Sequence, residues 1–145
     1  MIRKIVDKDV PALFRIRVAT RENALSLEEL SRLGITEDSI RQAIHDSHCG
    51  WLYEIEGEPV GFVMGDYKAA ELTVIALLPE FESKGIGAQL LNKVEEWFYS
   101  KGCSEIWLST DIDKCLRAYG FYIKHGWEDR NIENGNRYMF KELYE

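Results

Sequence analysis

The sequence predicts an α+β domain, of mixed α/β character, built on a largely antiparallel sheet. Three observations favour this class: helical spacing of apolar residues in the first third, alternating and β-branched residues in the middle, and a strand–helix–strand–helix order before a final hairpin. The 145 residues are the size of one ordinary domain, and no repeat or linker-like stretch divides them. We therefore assign residues 1–145 to a single domain.

The first elements are a short strand and a helix. Residues 2–6 are the strand candidate. Asp9 is predicted as the N-cap of a helix that has Pro11 in its first turn and runs through about Ala19.

Two short helices follow. The run Ser26-Leu27-Glu28-Glu29 is a capping box, and its helix ends near Gly34. Thr36 begins the second helix, because Ile40 and Ile44 are four residues apart and share one face.

The apolar period then changes to that of strands. Residues 50–67, GWLYEIEGEPVGFVMGDY, alternate on either side of Glu56-Gly57-Glu58, which predicts a hairpin. Residues 71–78, ELTVIALL, are an apolar run whose β-branched members indicate a buried strand. A second hairpin is centred on Asn134-Gly135. The other predicted elements are a helix over 87–100, a strand over 105–109, a helix over 115–124, and strands over 127–131 and 137–141.

Composition excludes several classes of function. The net charge of −7 argues against nucleic acid as a partner, because binding a phosphate backbone needs a basic patch. The longest apolar run, residues 74–78, is too short to span a bilayer, and residues 1–9 lack the apolar stretch of a signal peptide. We therefore expect no membrane partner and a cytoplasmic protein.

The cysteines and histidines do not predict a metal site. Cys49, Cys103 and Cys115 are odd in number and form no CxxC pair, which indicates structural thiols in a reducing compartment. His45 and His48 are close in sequence, but nothing nearby supplies a third and fourth ligand. We expect no metal.

The segment PEFESKGIGAQLL, residues 79–91, places two glycines between an apolar run and a helix. A Walker loop is excluded because the lysine precedes the glycines, and a dinucleotide fingerprint is excluded because Leu90 stands at its third glycine. The first amides of a helix lack internal partners and carry the positive end of the dipole, so they can hold a diphosphate. A plain strand-to-helix turn is the alternative.

Two motifs together resemble the GNAT superfamily of N-acetyltransferases. The first runs from Glu82 to Gly87, ESKGIG, where the family has Arg or Gln, two residues, Gly, one residue, and Gly or Ala. The second is residues 117–127, RAYGFYIKHGW, in which an Ala precedes an aromatic-Tyr pair and a Gly-aromatic step into a strand. The resemblance covers roughly residues 50–130.

The resemblance implies a twisted sheet of about six to seven strands flanked by about four to five helices. Its cofactor cleft lies where strand 71–78 parts from strand 105–109. The implied activity is transfer of the acetyl group of acetyl-CoA, a cosubstrate, to a primary amine by direct attack in a ternary complex. The acceptor is a small-molecule or peptide amine, and homodimers through the late strands are common in the family. A non-catalytic acyl-CoA-binding or regulatory module of the same fold is the alternative.

The resemblance also implies which residues bind the cofactor. They are Ile75, Ala76, Leu77, Glu82, Ser83, Lys84, Gly85, Ile86, Gly87, Ala88 and Cys115. Two positions depart from the family. Glu82 replaces Arg or Gln, so we expect its carboxylate to point into solvent with Lys84 partly compensating. Cys115 stands where many members have an asparagine; we expect a buried thiol, with that contact missing or supplied by Asp113 or Lys114.

For catalysis, the resemblance implies Tyr122 as the acid that protonates the leaving thiolate, and an amide of strand 71–78, that of Leu77, as donor to the thioester carbonyl. Glu71 is the candidate base, with Asp111 and Glu22 as alternatives. A packing role for Tyr122 and an exposed, inert Glu71 are the structural alternatives. The polar run of Arg17, Arg21, Glu22 and Asn23 either lines the acceptor site or is a solvated helix end.

Overall fold

One mixed sheet organises the chain, for which a computed structural model describes residues 1–20 and 25–143. Within these ranges the strands are β1 (Ile2–Lys4), β2 (His48–Ile55), β3 (Glu58–Asp66), β4 (Glu71–Leu77), β5 (Glu105–Asp111), β6 (Glu128–Glu133) and β7 (Asn136–Glu142). The α-helices are α1 (Val10–Val18), α2 (Leu27–Arg32), α3 (Glu37–Ile44), α4 (Ile86–Ser100) and α5 (Arg117–Lys124).

The strand order is β1-β2-β3-β4-β5-β7-β6, and every neighbouring pair is antiparallel except β4 and β5. The parallel β4–β5 pair has a single register contact, between Glu71 and Trp107. Beyond that contact the two strands separate toward the carboxyl end of β4. The predicted fold class and the predicted cleft between these strands are confirmed.

Apolar side chains cover both faces of the sheet. On one face α4 and α5 contribute Leu90, Leu91, Val94, Phe98 and Tyr122 to a cluster with Ile106, Leu108, Trp127 and Met139. On the other face Leu13 and Ile16 of α1 pack against Phe62, Met64 and Ala76. The sheet therefore separates an α4–α5 side from an α1 side, and the gap beside β4 connects the two sides.

Local signals placed both hairpin turns and the Ser26 cap correctly. Glu56 and Gly57 have φ of 52° and 81°, and Asn134 and Gly135 have φ of 52° and 80°, as a type I′ turn requires. The Ser26 hydroxyl accepts from the Glu29 N–H at 3.1 Å, which completes the predicted capping box.

Three predictions about elements need correction. Strand 71–78 is not buried along its length; only Leu72 and Ala76 of β4 are, because β5 leaves its outer edge to a cavity. Asp9 sits before α1 but does not cap it, since its carboxylate accepts from Arg3 at 2.7 Å and from the Val6 N–H at 2.8 Å. The helix predicted over 115–124 begins at Arg117.

Candidate active site

Two adjoining cavities occupy the gap between β4 and β5. The α1-side cavity, about 580 Å³, extends from the end of α1 across both strands to α5. The loop-side cavity, about 640 Å³, lies between β4, the glycine loop (residues 82–88) and α5. Both are lined by Ile75, Ala76, Leu77, Glu82, Arg117, Ala118 and Tyr122. A ligand entering from the loop side and another from the α1 side would meet at these residues.

The outer edge of β4 turns backbone N–H groups toward this gap. The Leu78 N–H donates to the Val60 carbonyl at 2.9 Å, on the β3 side. Because antiparallel pairing alternates the direction of successive N–H groups, those of Leu77 and Ile75 point the other way, to the side that β5 has left.

The glycine loop forms a concave set of backbone donors. Ser83 and Gly85 have φ of 62° and 80°, a left-handed conformation that turns successive N–H groups inward. The first backbone hydrogen bond of α4 runs from the Gln89 N–H to the Gly85 carbonyl at 3.2 Å. Among the described residues, the N–H groups of 84–88 have no acceptor. Backbone donors without an acceptor in the described ranges, at the positive end of a fifteen-residue helix, are the kind of groups that can bind an anion.

The loop residues differ in what they present to the cavity. Ser83, Gly85, Gly87 and Ala88 line the loop-side cavity. At Gly87 a Cβ would lie 3.4 Å from the Phe121 ring, so glycine keeps the wall open there. The Ile86 side chain is buried in the core, and the exposed Lys84 lines neither cavity.

The predicted orientation of Glu82 is wrong. Its side chain is only 16% exposed and lines both cavities, and its carboxylate lies 3.5 Å from Arg117 Nε. Arg117 also donates to the Ser83 hydroxyl at 3.2 Å. A guanidinium from α5 therefore offsets the Glu82 charge, whereas Lys84 does not contact it. Sequence reasoning missed this role, although Arg117 opens the second motif.

Tyr122 is at the junction of the two cavities. Its side chain is 7% exposed, and its ring packs against Phe121 and Trp127. Burial raises the pKa of the Tyr122 phenol well above its usual value. The neighbouring Tyr119 is directed elsewhere, because its hydroxyl donates to Asp129 at 3.0 Å and Arg137 stacks on its ring.

The candidate bases occupy different positions. Glu71 lines neither cavity; it pairs across the strands with Asp66, at the end of β4 that still contacts β5. Burial and the Asp66 charge raise the pKa of the Glu71 carboxyl above its ordinary value. Asp111 lines the α1-side cavity directly and accepts from the Asp113 N–H at 2.8 Å.

Cys115 is exposed, so the prediction of a buried thiol is wrong at that position, and only Cys49 of the three cysteines is buried. Cys115, Asp113 and Lys114 line neither cavity, because α5 begins two residues later. Arg17 lines the α1-side cavity as expected. Arg21, Glu22 and Asn23 lie outside the described residues.

A comparison with known families agrees with this geometry. A sequence model of the acetyltransferase (GNAT) family matches residues 11–127. The chain belongs to the GNAT acetyltransferase family. Three solved structures show how widely the GNAT fold is shared at low sequence identity.

PaiA N-acetyltransferase from Thermoplasma acidophilum, solved in complex with coenzyme A, is 22% identical with a TM-score of 0.86 over 98% of each chain. Ribosomal-protein-alanine N-acetyltransferase from Brucella melitensis is 17% identical, with a TM-score of 0.72 over 99% of each chain. Aminoglycoside 6′-acetyltransferase type Ii is 18% identical, with a TM-score of 0.74 over 100% of this chain and 98% of that chain. At these identities the similarity is one of fold.

Residues 1–20 and 25–143 contain no group of three or more His, Cys, Asp or Glu side chains arranged to hold a metal ion. No helix within them has the length and apolar content needed to cross a bilayer.

Proposed function

We propose that the protein is an N-acetyltransferase that moves the acetyl group of acetyl-CoA to a primary amine within a ternary complex. One observation carries the proposal: the amides at the start of α4, which have no acceptor in the part of the chain that the structure describes, open into a cavity that continues through the sheet to its α1 side. The cosubstrate would enter from the loop side and the amine from the α1 side, so both reactants meet beside β4.

Cosubstrate binding would use two sets of backbone groups. The diphosphate would accept from the N–H groups of 84–88, with Ser83 and Arg117 at its rim. The pantetheine arm would lie along Ile75, Ala76 and Leu77, whose outer edge β5 leaves unpaired. The Leu77 N–H would donate to the thioester carbonyl oxygen as negative charge develops there.

The reaction removes two protons from the acceptor ammonium and gives one proton to the leaving sulfur. Because Glu71 lines neither cavity, it takes one proton from the acceptor ammonium through a water, frees the nitrogen lone pair and later releases that proton to solvent. The nitrogen bonds to the carbonyl carbon, the carbon–sulfur bond breaks, and the second nitrogen proton leaves to water. Tyr122 gives its proton to the thiolate sulfur and is reprotonated from solvent, so one proton is released per turnover. Its raised pKa keeps the phenol protonated at neutral pH.

Membership of the GNAT family suggests four classes of amine acceptor: small amines, amino acids, aminoglycosides and protein N-termini. Relatives of the same fold bear names for an aminoglycoside and for a ribosomal-protein alanine. The polar groups on the α1 side are what should distinguish these classes.

The test of cosubstrate binding is calorimetric titration of the purified protein with acetyl-CoA. We expect micromolar binding that Gly85→Glu abolishes, because a carboxylate would project beside the diphosphate donors. Gly57→Glu is the matched control: its φ of 81° equals the 80° of Gly85 to within a degree, and at both positions a Cβ meets no atom within 4 Å. Absence of binding to the folded wild-type protein would refute the proposal.

Free-thiol release from acetyl-CoA with a panel of amines then tests catalysis. Tyr122→Phe should lower kcat by about 10²-fold, the usual scale of general-acid catalysis, while retaining cosubstrate affinity. Tyr119→Phe should leave turnover unchanged, since that hydroxyl bonds Asp129 outside both cavities. Binding of acetyl-CoA without thiol release to any amine would instead identify a non-catalytic acyl-CoA-binding or regulatory module.

A further inference from the structure

Arg17 places a guanidinium on the α1 side of the sheet, and within residues 1–20 and 25–143 its side chain has no polar partner. It lies in the last turn of α1, partly buried, and lines the α1-side cavity. It also borders a small apolar pocket with Phe14 and Ile40, which accounts for its burial. Within 1–20 and 25–143, no hydrogen bond or ion pair to its side chain is present. Burial lowers the pKa of this guanidinium.

The other described charged residues of the α1-side cavity show which charges there are paired with each other. The described charged residues that line it are Arg17, Glu82, Asp111 and Arg117. Glu82 and Arg117 pair with each other at 3.5 Å. Asp111, at the carboxyl end of β5, bonds only a backbone N–H and faces no cation in the described chain. Among the described residues, the cavity therefore presents one cation from α1 and one carboxylate from β5 that are not paired with each other or with another charged side chain.

We propose that the acceptor is an amine that also carries a carboxylate, such as a free amino acid, and that Arg17 binds this carboxylate. The proposal rests on the proposed acetyltransferase function and adds the substrate class. An acceptor with an ammonium and a carboxylate matches both of these cavity charges: its carboxylate pairs with the Arg17 fork, and its ammonium lies toward Asp111 and β4.

The same charges disfavour the polycationic amines. A partly buried guanidinium repels an additional ammonium at close range, and desolvation strengthens that repulsion. Aminoglycosides and polyamines present several ammonium groups and no carboxylate, so they leave Arg17 unpaired. The overall charge of −7 does not bear on this choice, because the decisive cation lies inside the cavity.

The experiment measures acetylation of matched acceptors: each amino acid, its carboxamide and, for three of them, the decarboxylated amine. Wild-type protein should prefer acid over amide by about 10- to 100-fold in kcat/KM, the size of a hydrogen-bonded charge pair. Arg17→Gln should remove this preference while leaving kcat/KM for the amides within a few-fold, and Arg17→Lys should restore part of it. Arg15→Gln is the matched control, because Arg15 lies two residues earlier on the exposed face of α1.

Direct titration separates this proposal from the proposed function. The protein, with and without coenzyme A, is titrated with the acid and amide of each pair. If the wild-type protein does not bind coenzyme A, the proposed acetyltransferase function is refuted. If it binds coenzyme A but has equal affinity for acids and amides, the proposed role of Arg17 is refuted. Equal loss of kcat/KM for acids and amides in Arg17→Gln would overturn it too, as would turnover of polyamines alone.

Discussion

At the scale of single residues, the loop-side cavity owes its charge balance to Glu82 and Arg117. The carboxylate lies on the loop that would hold a diphosphate, and the guanidinium reaches it from α5. From the sequence we expected the Glu82 carboxylate to point into solvent, because a carboxylate beside a diphosphate is unfavourable. The fold instead keeps Glu82 at the cavity wall and supplies a cation from a distant part of the chain.

The Glu82–Arg117 pair predicts opposite effects on cosubstrate affinity. Glu82→Gln removes a negative charge beside the diphosphate and should tighten acetyl-CoA binding by roughly two- to fivefold. Arg117→Gln removes a positive charge beside the Glu82 carboxylate and should weaken binding by a similar factor; the effects are small because the Arg117 side chain is 51% exposed and screened. Titration calorimetry measures both. Arg130→Gln, which breaks the distant pair with Glu105, is the control and should change nothing.

The Asp66–Glu71 pair makes a prediction about pH. Burial and Asp66 raise the pKa of Glu71. With Glu71 as the proposed base, kcat/KM should therefore fall at a higher pH than for an ordinary glutamate near 4.5. Asp66→Asn removes a neighbouring negative charge, lowers the Glu71 pKa and should shift the acidic limb to lower pH. Glu71→Gln should abolish that limb together with most activity.

The competing base gives the opposite pattern. If Asp111 accepts the proton, then Asp111→Asn abolishes activity, and neither Asp66→Asn nor Glu71→Gln moves the acidic limb. Acetylation of one acceptor from pH 4 to pH 9 in the four proteins distinguishes the two assignments.

At the scale of elements, close contact between α4 and β3 holds the glycine loop in place. Gly65 of β3 lies beneath the Phe98 ring, where a Cβ would be 2.5 Å from Cζ. Phe98 is fully buried, so its ring has no space into which to move. The helix that begins at the loop is thus seated directly on the sheet.

This contact predicts a stability effect. Gly65→Ala should lower the free energy of unfolding by about 1–3 kcal/mol through overpacking. Gly120→Ala, in α5, should raise it by about 0.5–1 kcal/mol, because a Cβ there meets no atom within 4 Å and alanine favours helix. Urea unfolding measures both. Equal stability of wild type and Gly65→Ala would show that α4 can shift away from the sheet.

The elements also show which features of the fold were predictable. Hairpins and capping boxes depend on residues a few positions apart, and these were predicted correctly at Glu56-Gly57, Asn134-Gly135 and Ser26. Three other features depend on contacts between different elements. They are the outer edge of β4 that β5 leaves unpaired, the Glu82–Arg117 ion pair, and the cross-strand neighbours Asp66 and Glu71. Apolar β-branched runs look alike whether a strand is covered or lines a cavity, so periodicity could not separate the two.

At the scale of the whole molecule, an ion cluster joins the first strand to the first helix and to β2. Arg3 bonds Asp9 at 2.7 Å and Glu54 at 3.0 Å, and Asp9 is 6% exposed. The Arg3 guanidinium holds the pKa of the Asp9 carboxyl below its usual range. The cluster ties α1, and with it Arg17, to the sheet.

The lowered Asp9 pKa contributes to the dependence of folding stability on pH in acid. A depressed folded pKa contributes stability above the unfolded value of about 3.9, and this contribution is lost as pH falls through the folded pKa. Asp9→Asn should therefore be less stable than wild type by about 1–2 kcal/mol at pH 7, with the difference shrinking at pH 3. Urea unfolding at both pH values checks this. Asp38→Asn, whose carboxylate is 90% exposed, should match wild type at each.

Homodimer formation through the late strands stays a prediction. β6 is the outermost strand beside β7, and all six of its residues are exposed. Charged side chains along it, including Glu128, Asp129 and Arg130, are of the kind that protects a sheet edge from pairing. Light scattering across protein concentration would decide between a monomer and a dimer.

The separation of β4 from β5 also gives the protein a sheet edge in its interior, which should be visible in amide hydrogen exchange. The N–H groups of Val74 and Ala76 bond β3, whereas those of Ile75 and Leu77 face the gap. Along one strand, slow and fast exchange should therefore alternate residue by residue in the free protein. Saturating acetyl-CoA should slow Ile75 and Leu77 to the rate of their neighbours as the pantetheine arm occupies the place of a missing strand. Uniform exchange along β4, with or without ligand, would contradict this.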